Sequence, residues 1–180
     1  MNTKHLLVTA AVFLLALEGA CRAQSPGVCD ALPYRAFDFW QGDWDVFDVA
    51  TNVKSAHVRV SSVEGQCGLR EKYTAVDGSA GESLSTYDPS HQTWRQFWVS
   101  NTGEIVSIAG TLQGGSMVLV GSEEGAHSSM VRGIWKPEPG GVRETGEKSQ
   151  DNGRSWKPWF DLNFRRVQDA CDPIHKGPDR

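Results

Sequence analysis

Positive charge is scarce in this chain: 18 Lys and Arg stand against 22 Asp and Glu, a net charge of −4 over 180 residues. No basic stripe exists to neutralise a phosphate backbone, which excludes nucleic acid as a natural partner. Long apolar runs are scarcer still. The only one, Leu6 to Leu17, is broken by Thr9 and falls short of the ~20 residues needed to cross a bilayer, so no transmembrane segment is expected. Catalytic and metal motifs are also missing: there is no G-x-S-x-G elbow, phosphate loop, GxGxxG, HExxH or CxxC. His57, His91, His127 and His175 lie far apart without ligand spacing, so neither a metal nor a cofactor is expected. What the chain does have is tryptophan, seven residues beside seven Phe, together with 19 Gly. That combination fits short strands and tight turns around a bulky interior.

The length supports one domain with a real core, at roughly 150 residues per domain. Residues 1–23 read as a secretory signal peptide. Lys4 supplies a short positive region, the run to Leu17 an apolar core, and Gly19, Ala20, Cys21 and Ala23 the small residues of a cleavage region. Cleavage after Ala23 leads to a periplasmic or secreted protein. The alternative is a lipid anchor on Cys21, preceded suitably by Gly19 and Ala20 but with Glu18 where such sites want Leu. In an oxidising compartment two of Cys29, Cys67 and Cys171 can pair. Cys29 with Cys67, Cys29 with Cys171, or three thiols are all open on the residues alone.

After an N-terminal arm at 24–41, holding one helical turn around Ala31 to Trp40, residues 42–166 read as about ten strands separated by turn formers. The strands are Gly42–Val49, Ala56–Val63, Gly68–Thr74, Ser83–Tyr87, Thr93–Val99, Ile105–Leu112, Met117–Gly121, Met130–Trp135, Val142–Lys148 and Trp156–Arg166. Asp77-Gly78, Asp88-Pro89, Gly114-Gly115 and Pro139 to Gly141 are typical breaks between them. Ten hairpin-linked strands predict an all-β fold, an antiparallel up-and-down barrel closed so that no edge is left unpaired; a two-sheet sandwich is the alternative. Residues 167–180 form a tail.

Alternation along the strands separates two faces. Trp94, Gln96 and Trp98 share one, opposite Arg95, Phe97 and Val99; Leu69, Glu71 and Tyr73 share another, opposite an exposed set of Arg70, Lys72 and Thr74. An inward Glu71 would be a carboxylate among aromatics, costly unless paired, and Arg132 on a later strand is its expected partner. Trp135 and Trp159 read as wall packing. Asp43, Asp45 and Asp48 read as solvated residues near a rim, and Glu123 and Glu124 as solvent-facing charge. Ser149, Asp151, Gly153, Ser155 and Trp156 match S-x-D-x-G-x-S/T-W, which resembles the Asp-box hairpin of sialidases; a single copy implies a turn device and no catalysis.

Phe37, Asp38, Phe39, Trp40, Gln41, Gly42, Asp43, Trp44, Asp45 and Val46 resemble the FDFWxGxWDV opening of a family of uncharacterised bacterial secreted proteins. Later features match in order: Cys67 with Glu71, Tyr87 with Asp88, the Trp94, Gln96 and Trp98 set, Gly103, Gly110, Met117, Arg132 with Trp135, and the Ser149 to Trp156 box. The chain departs from the pattern at Asn163 and Phe164, where a Tyr is common, and in its tail. The resemblance implies a calycin-like or lipocalin-like barrel and, because members carry cysteines at both positions, a Cys29–Cys67 disulfide. Three function classes follow. The first is a lumen holding a small apolar or amphipathic ligand, with Trp44, Tyr73, Trp94 and Trp98 stacking and Glu71, Gln96 and Arg132 orienting it. The others are a closed barrel that binds an envelope partner through its surface, and a small-molecule hydrolase or isomerase using Glu71.

Overall fold

The structure, a computed structural model, describes residues 27–124 and 129–167. The expected signal peptide, Cys21 and Cys171 lie outside the described residues. All ten strands are present: β1 (Gly42–Asp48), β2 (Lys54–Val63), β3 (Gly68–Ala75), β4 (Ala80–Asp88), β5 (Thr93–Ser100), β6 (Ile105–Gln113), β7 (Ser116–Glu124), β8 (Ser129–Glu138), β9 (Gly141–Ser149) and β10 (Lys157–Arg166). Each pairs antiparallel with the next, and β1 pairs with β10, with Trp44 opposite Arg166, so the sheet closes into a barrel without an edge.

Local chemistry sets the boundaries. Gly114 and Gly115 both take positive φ, 57° and 85°, the backbone of the tight turn that joins β6 to β7. Trp156 belongs to the turn before β10 and not to the strand. There Asp151 accepts from the Ser155 N–H at 2.8 Å and from its hydroxyl at 2.6 Å, and the Gly153 N–H donates to Ser149 Oγ at 2.8 Å. Three strands differ most from expectation: β4 starts at Ala80, three residues before the expected Ser83, and β7 and β8 run three residues past their expected ends, to Glu124 and Glu138. Ala80, Gly81 and Glu82 carry no strand pattern of their own; neighbouring strands supply it.

Alternation sorts most positions between the two faces, with Glu71, Ser83, Ser85 and Gln96 as polar residues inside and Leu84, Phe97 and Val99 as exposed apolar residues outside. Trp44, Val46, Val58, Val60, Leu69, Met117, Leu119, Val142 and Phe164 point inward and are buried, each side chain of this kind contributing about 1.5–3 kcal/mol. Outward positions carry ion pairs: Asp43 with Arg59, Arg70 with Glu82, and Arg143 with Asp161. Asp43 and Asp45 also meet His57 on this outer face. Apolar-in and charged-out is the inverse of a membrane-spanning barrel, whose apolar band faces lipid. Among the described residues no helix is long and apolar enough to cross a membrane.

The two ends differ. At the end holding the β2–β3, β4–β5, β6–β7 and β8–β9 turns, the N-terminal segment folds across the opening as a 3₁₀ turn at Val28–Asp30, α1 (Leu32–Arg35) and a second 3₁₀ turn at Asp38–Trp40. Cys29 is disulfide-bonded to Cys67 in the β2–β3 turn. Arg35 donates to the side chain and carbonyl of Gln66, and the Trp94 indole N–H donates to the Pro33 carbonyl at 3.1 Å. Phe37, fully buried, stacks on Trp40 at 5.0 Å and meets Trp94 and Trp135 edge-on. This aromatic plug closes one end of the barrel.

Candidate functional site

Above the plug the lumen is unfilled. A cavity of about 430 Å³ runs towards the other end, reaching the rim at Asp48, Ser79, Ser100 and Thr102. Glycine makes the room. Gly133 of β8 and Gly146 of β9 face each other in the ladder and put no side chain into the lumen. A Cβ on Gly133 would lie 2.5 Å from the Trp135 ring, one on Gly146 2.4 Å from Phe160, and one on Gly81 2.3 Å from Trp98. Three large rings therefore lie along the wall over a bare backbone instead of projecting across the centre. Tyr73 packs edge-on to Trp98 at 5.8 Å, and Val106, Ile108 and Leu162 complete much of the apolar lining.

Two carboxyl groups interrupt that lining. Glu71, 6% exposed, accepts from the Ser83 hydroxyl at 2.8 Å. Burial pushes it up to about 7 from its ordinary value, with the Ser83 bond acting against the rise. Glu144 of β9, half-buried and lining the cavity, is raised well above the carboxylate range, first by burial and then by the charge of Glu71. No cationic side chain contributes to either shift. The Trp135 indole N–H approaches Glu144 closely enough to oppose the rise, yet it completes no well-formed hydrogen bond. Tyr73 is also raised, by burial and by Glu144. Beside it, Gln96 donates to Ser85 Oγ at 3.0 Å.

Nearer the rim, Glu104 accepts from the Trp98 indole N–H at 3.1 Å, and burial raises its carboxyl. Glu123 accepts from Ser129 at 2.9 Å and pairs with Lys148 at 2.6 Å, the ammonium lying 3.7 Å over the Trp159 ring. Glu123 is thus committed to the rim and is not simple solvent-facing charge. Among the described residues there is no group of three or more side chains suited to holding a metal ion.

Of the residues expected to bind, Glu71, Tyr73, Gln96 and Trp98 come together on the cavity wall. Three are placed differently. Trp44, 1% exposed, donates its indole N–H to the Trp40 carbonyl at 3.0 Å, meets Phe164 edge-on and carries Arg166 over its face; it is core and lies outside the lining. Trp94 is held in the plug by Pro33 and Phe37. Arg132 belongs to the β8 wall, but its guanidinium donates to Glu147 at 2.5 Å and lies 4.4 Å over Trp156. It faces away from Glu71 because Val131, Gly133 and Trp135 take the inward positions of β8. Conversely, Trp135 and Trp159, expected as wall packing alone, border the cavity, as does Asp48. Glu144 and Phe160 were not anticipated. Their signal is faint but present: an acid between Val142 and Gly146 in the inward set of β9, and a Gly opposite an aromatic across the β9–β10 pair.

No protein-family model matches this chain, and no curated protein matches it. The lumen itself is what bears on function.

Proposed function

We propose that the protein is an exported, lipocalin-like barrel that takes one small amphipathic ligand into its lumen. The observation that carries this is the unfilled cavity, plugged at one end and bordered at the other by a polar rim. Its volume falls within the ~300–1,000 Å³ of small-molecule sites, and its character matches them, mostly apolar wall with a few convergent polar groups. Trp98, Tyr73 and Phe160 offer flat apolar surface, while Glu71, Gln96 and Glu144 fix orientation from the middle of the wall. The likeness to the secreted FDFWxGxWDV family supports the same reading, and the Cys29–Cys67 disulfide supports an oxidising, periplasmic or extracellular setting.

The test is a fluorescence titration with N-phenylnaphthylamine, a neutral aromatic probe small enough for the lumen. Saturable binding of one probe per chain, with quenching of tryptophan emission, is the expected result. A non-saturating response, or none, would remove lumen binding.

A further inference from the structure

Resting on that lumen reading, we propose that the ligand carries a cationic amine, whose ammonium seats between Glu71 and Glu144 while its apolar part lies along Tyr73 and Trp98. The charge inventory of the cavity comes first. Among the described residues four acidic ones line it, Asp48, Glu71, Glu104 and Glu144, against one basic residue, Arg132, whose guanidinium is held by Glu147 on the other side of the wall. Lys148 at the rim is held by Glu123. Glu71 and Glu144 both line the cavity, the charge of Glu71 reaches Glu144, and among the described residues no cation balances them, an arrangement that is expensive unless a proton or a ligand's charge compensates.

An independent feature lies beside the pair. Trp135 is 3% exposed and lines the cavity, and its indole N–H, which lies by Glu144, completes no well-formed hydrogen bond. A protonated Glu144 is a poor claimant for that donor. Once ionised against a bound ammonium, Glu144 is acceptor only and can take the indole N–H in a charge-assisted bond. The ligand's charge would thereby satisfy an orphan donor as well as the acids. The aromatic surroundings agree. Tyr73 stands two residues along the inner face from Glu71, and the ladder places Ser83 between Glu71 and Trp98. The ring faces of Tyr and Trp attract cations. An anionic ligand would meet carboxyl groups at every depth.

The groups facing the pair from the packed strands are Tyr73 on β3, Ser83 on β4, Gln96 and Trp98 on β5, Trp135 on β8 and Phe160 on β10. Apart from the pair, only Tyr73 titrates, and its raised pKa keeps it neutral at physiological pH. Seating the ammonium therefore releases a proton from the carboxyl pair: an O–H bond breaks, the proton leaves to solvent, and N–H···O⁻ bonds form in its place.

Displacement of N-phenylnaphthylamine by octylamine, octanol and octanoate tests this, since the three differ only in head group. At pH 8 the amine, as octylammonium, should bind at least about tenfold tighter than octanol, with octanoate weakest, and should weaken about tenfold on going to pH 6 as Glu71 takes up its proton. Glu71→Gln and Glu144→Gln should each abolish the preference. Calorimetry of the unaltered protein in buffers of different ionisation enthalpy should show proton release, a readout independent of how the variants fold. If octanol or octanoate binds as tightly as the amine, if none of the three displaces a bound probe, or if the preference survives both substitutions, the cation subsite is wrong while probe binding leaves the lumen site standing. If the probe itself fails to bind, both proposals fall together.

Discussion

Glu71 gives the protein a pH dependence of unusual sign. Its folded carboxyl holds a proton up to about pH 7, whereas the unfolded chain releases it near the ordinary 4.5. Its contribution to stability is thus fully present below the unfolded value and lost as pH rises through the folded one, on the order of 3 kcal/mol at most. Glu144 and Glu104, both raised, act in the same sense. Asp45, Asp88 and Asp151 are lowered by hydrogen bonds to their neighbours, Asp151 to about 2, and their contributions are lost only as pH falls below about 4. Urea denaturation should therefore show lower stability at pH 8 than at pH 5, and Glu71→Gln should flatten that slope and stabilise the protein at pH 8. A wild type more stable at pH 8 would contradict the burial of this carboxyl. Alternation alone put Glu71 on the inner face. Its lumen neighbour was not legible, because Glu144 lies across the barrel and no local pattern says which inward residues of β3 and β9 meet.

At the scale of elements, strand number and order were readable from turn formers spaced near every ten residues, and closure followed from the need to pair two edges. The sorting of tryptophans was not, because a ring's direction depends on the residue beside it: Trp98 and Trp135 lie along the wall only where Gly81 and Gly133 leave the backbone bare. Gly81→Ala tests this directly. The new methyl would sit 2.3 Å from the Trp98 ring and 2.7 Å from the Val99 carbonyl, so a cost of about 1–3 kcal/mol is expected. Probe affinity should fall with it; thermal unfolding and titration unchanged from wild type would refute the account of how the cavity is made. The disulfide belongs to the same scale. It closes a separation of 38 residues, and replacing Cys29 and Cys67 together by Ser should lower stability by about 4 kcal/mol in denaturant. Lumen affinity should change little, since the bond fastens the plug at the opposite end. Its partners were open on the residues and pointed to by the family likeness.

For the whole molecule, closing the sheet and plugging one end with Phe37 and Trp40 leaves an inner face and an outer face, and the proposed binding belongs to the inner one. Adjacent residues of β5 separate that face from the other: Trp98 lines the cavity, while Phe97 is 52% exposed on the outer wall. The most direct measurement of lumen binding is N-phenylnaphthylamine affinity in Trp98→Ala beside Phe97→Ala. With the aromatic anchor gone, Trp98→Ala should bind at least about tenfold more weakly, and Phe97→Ala should match the wild type. Weakened binding in Phe97→Ala with Trp98→Ala unaffected would place the ligand outside the barrel and contradict the account.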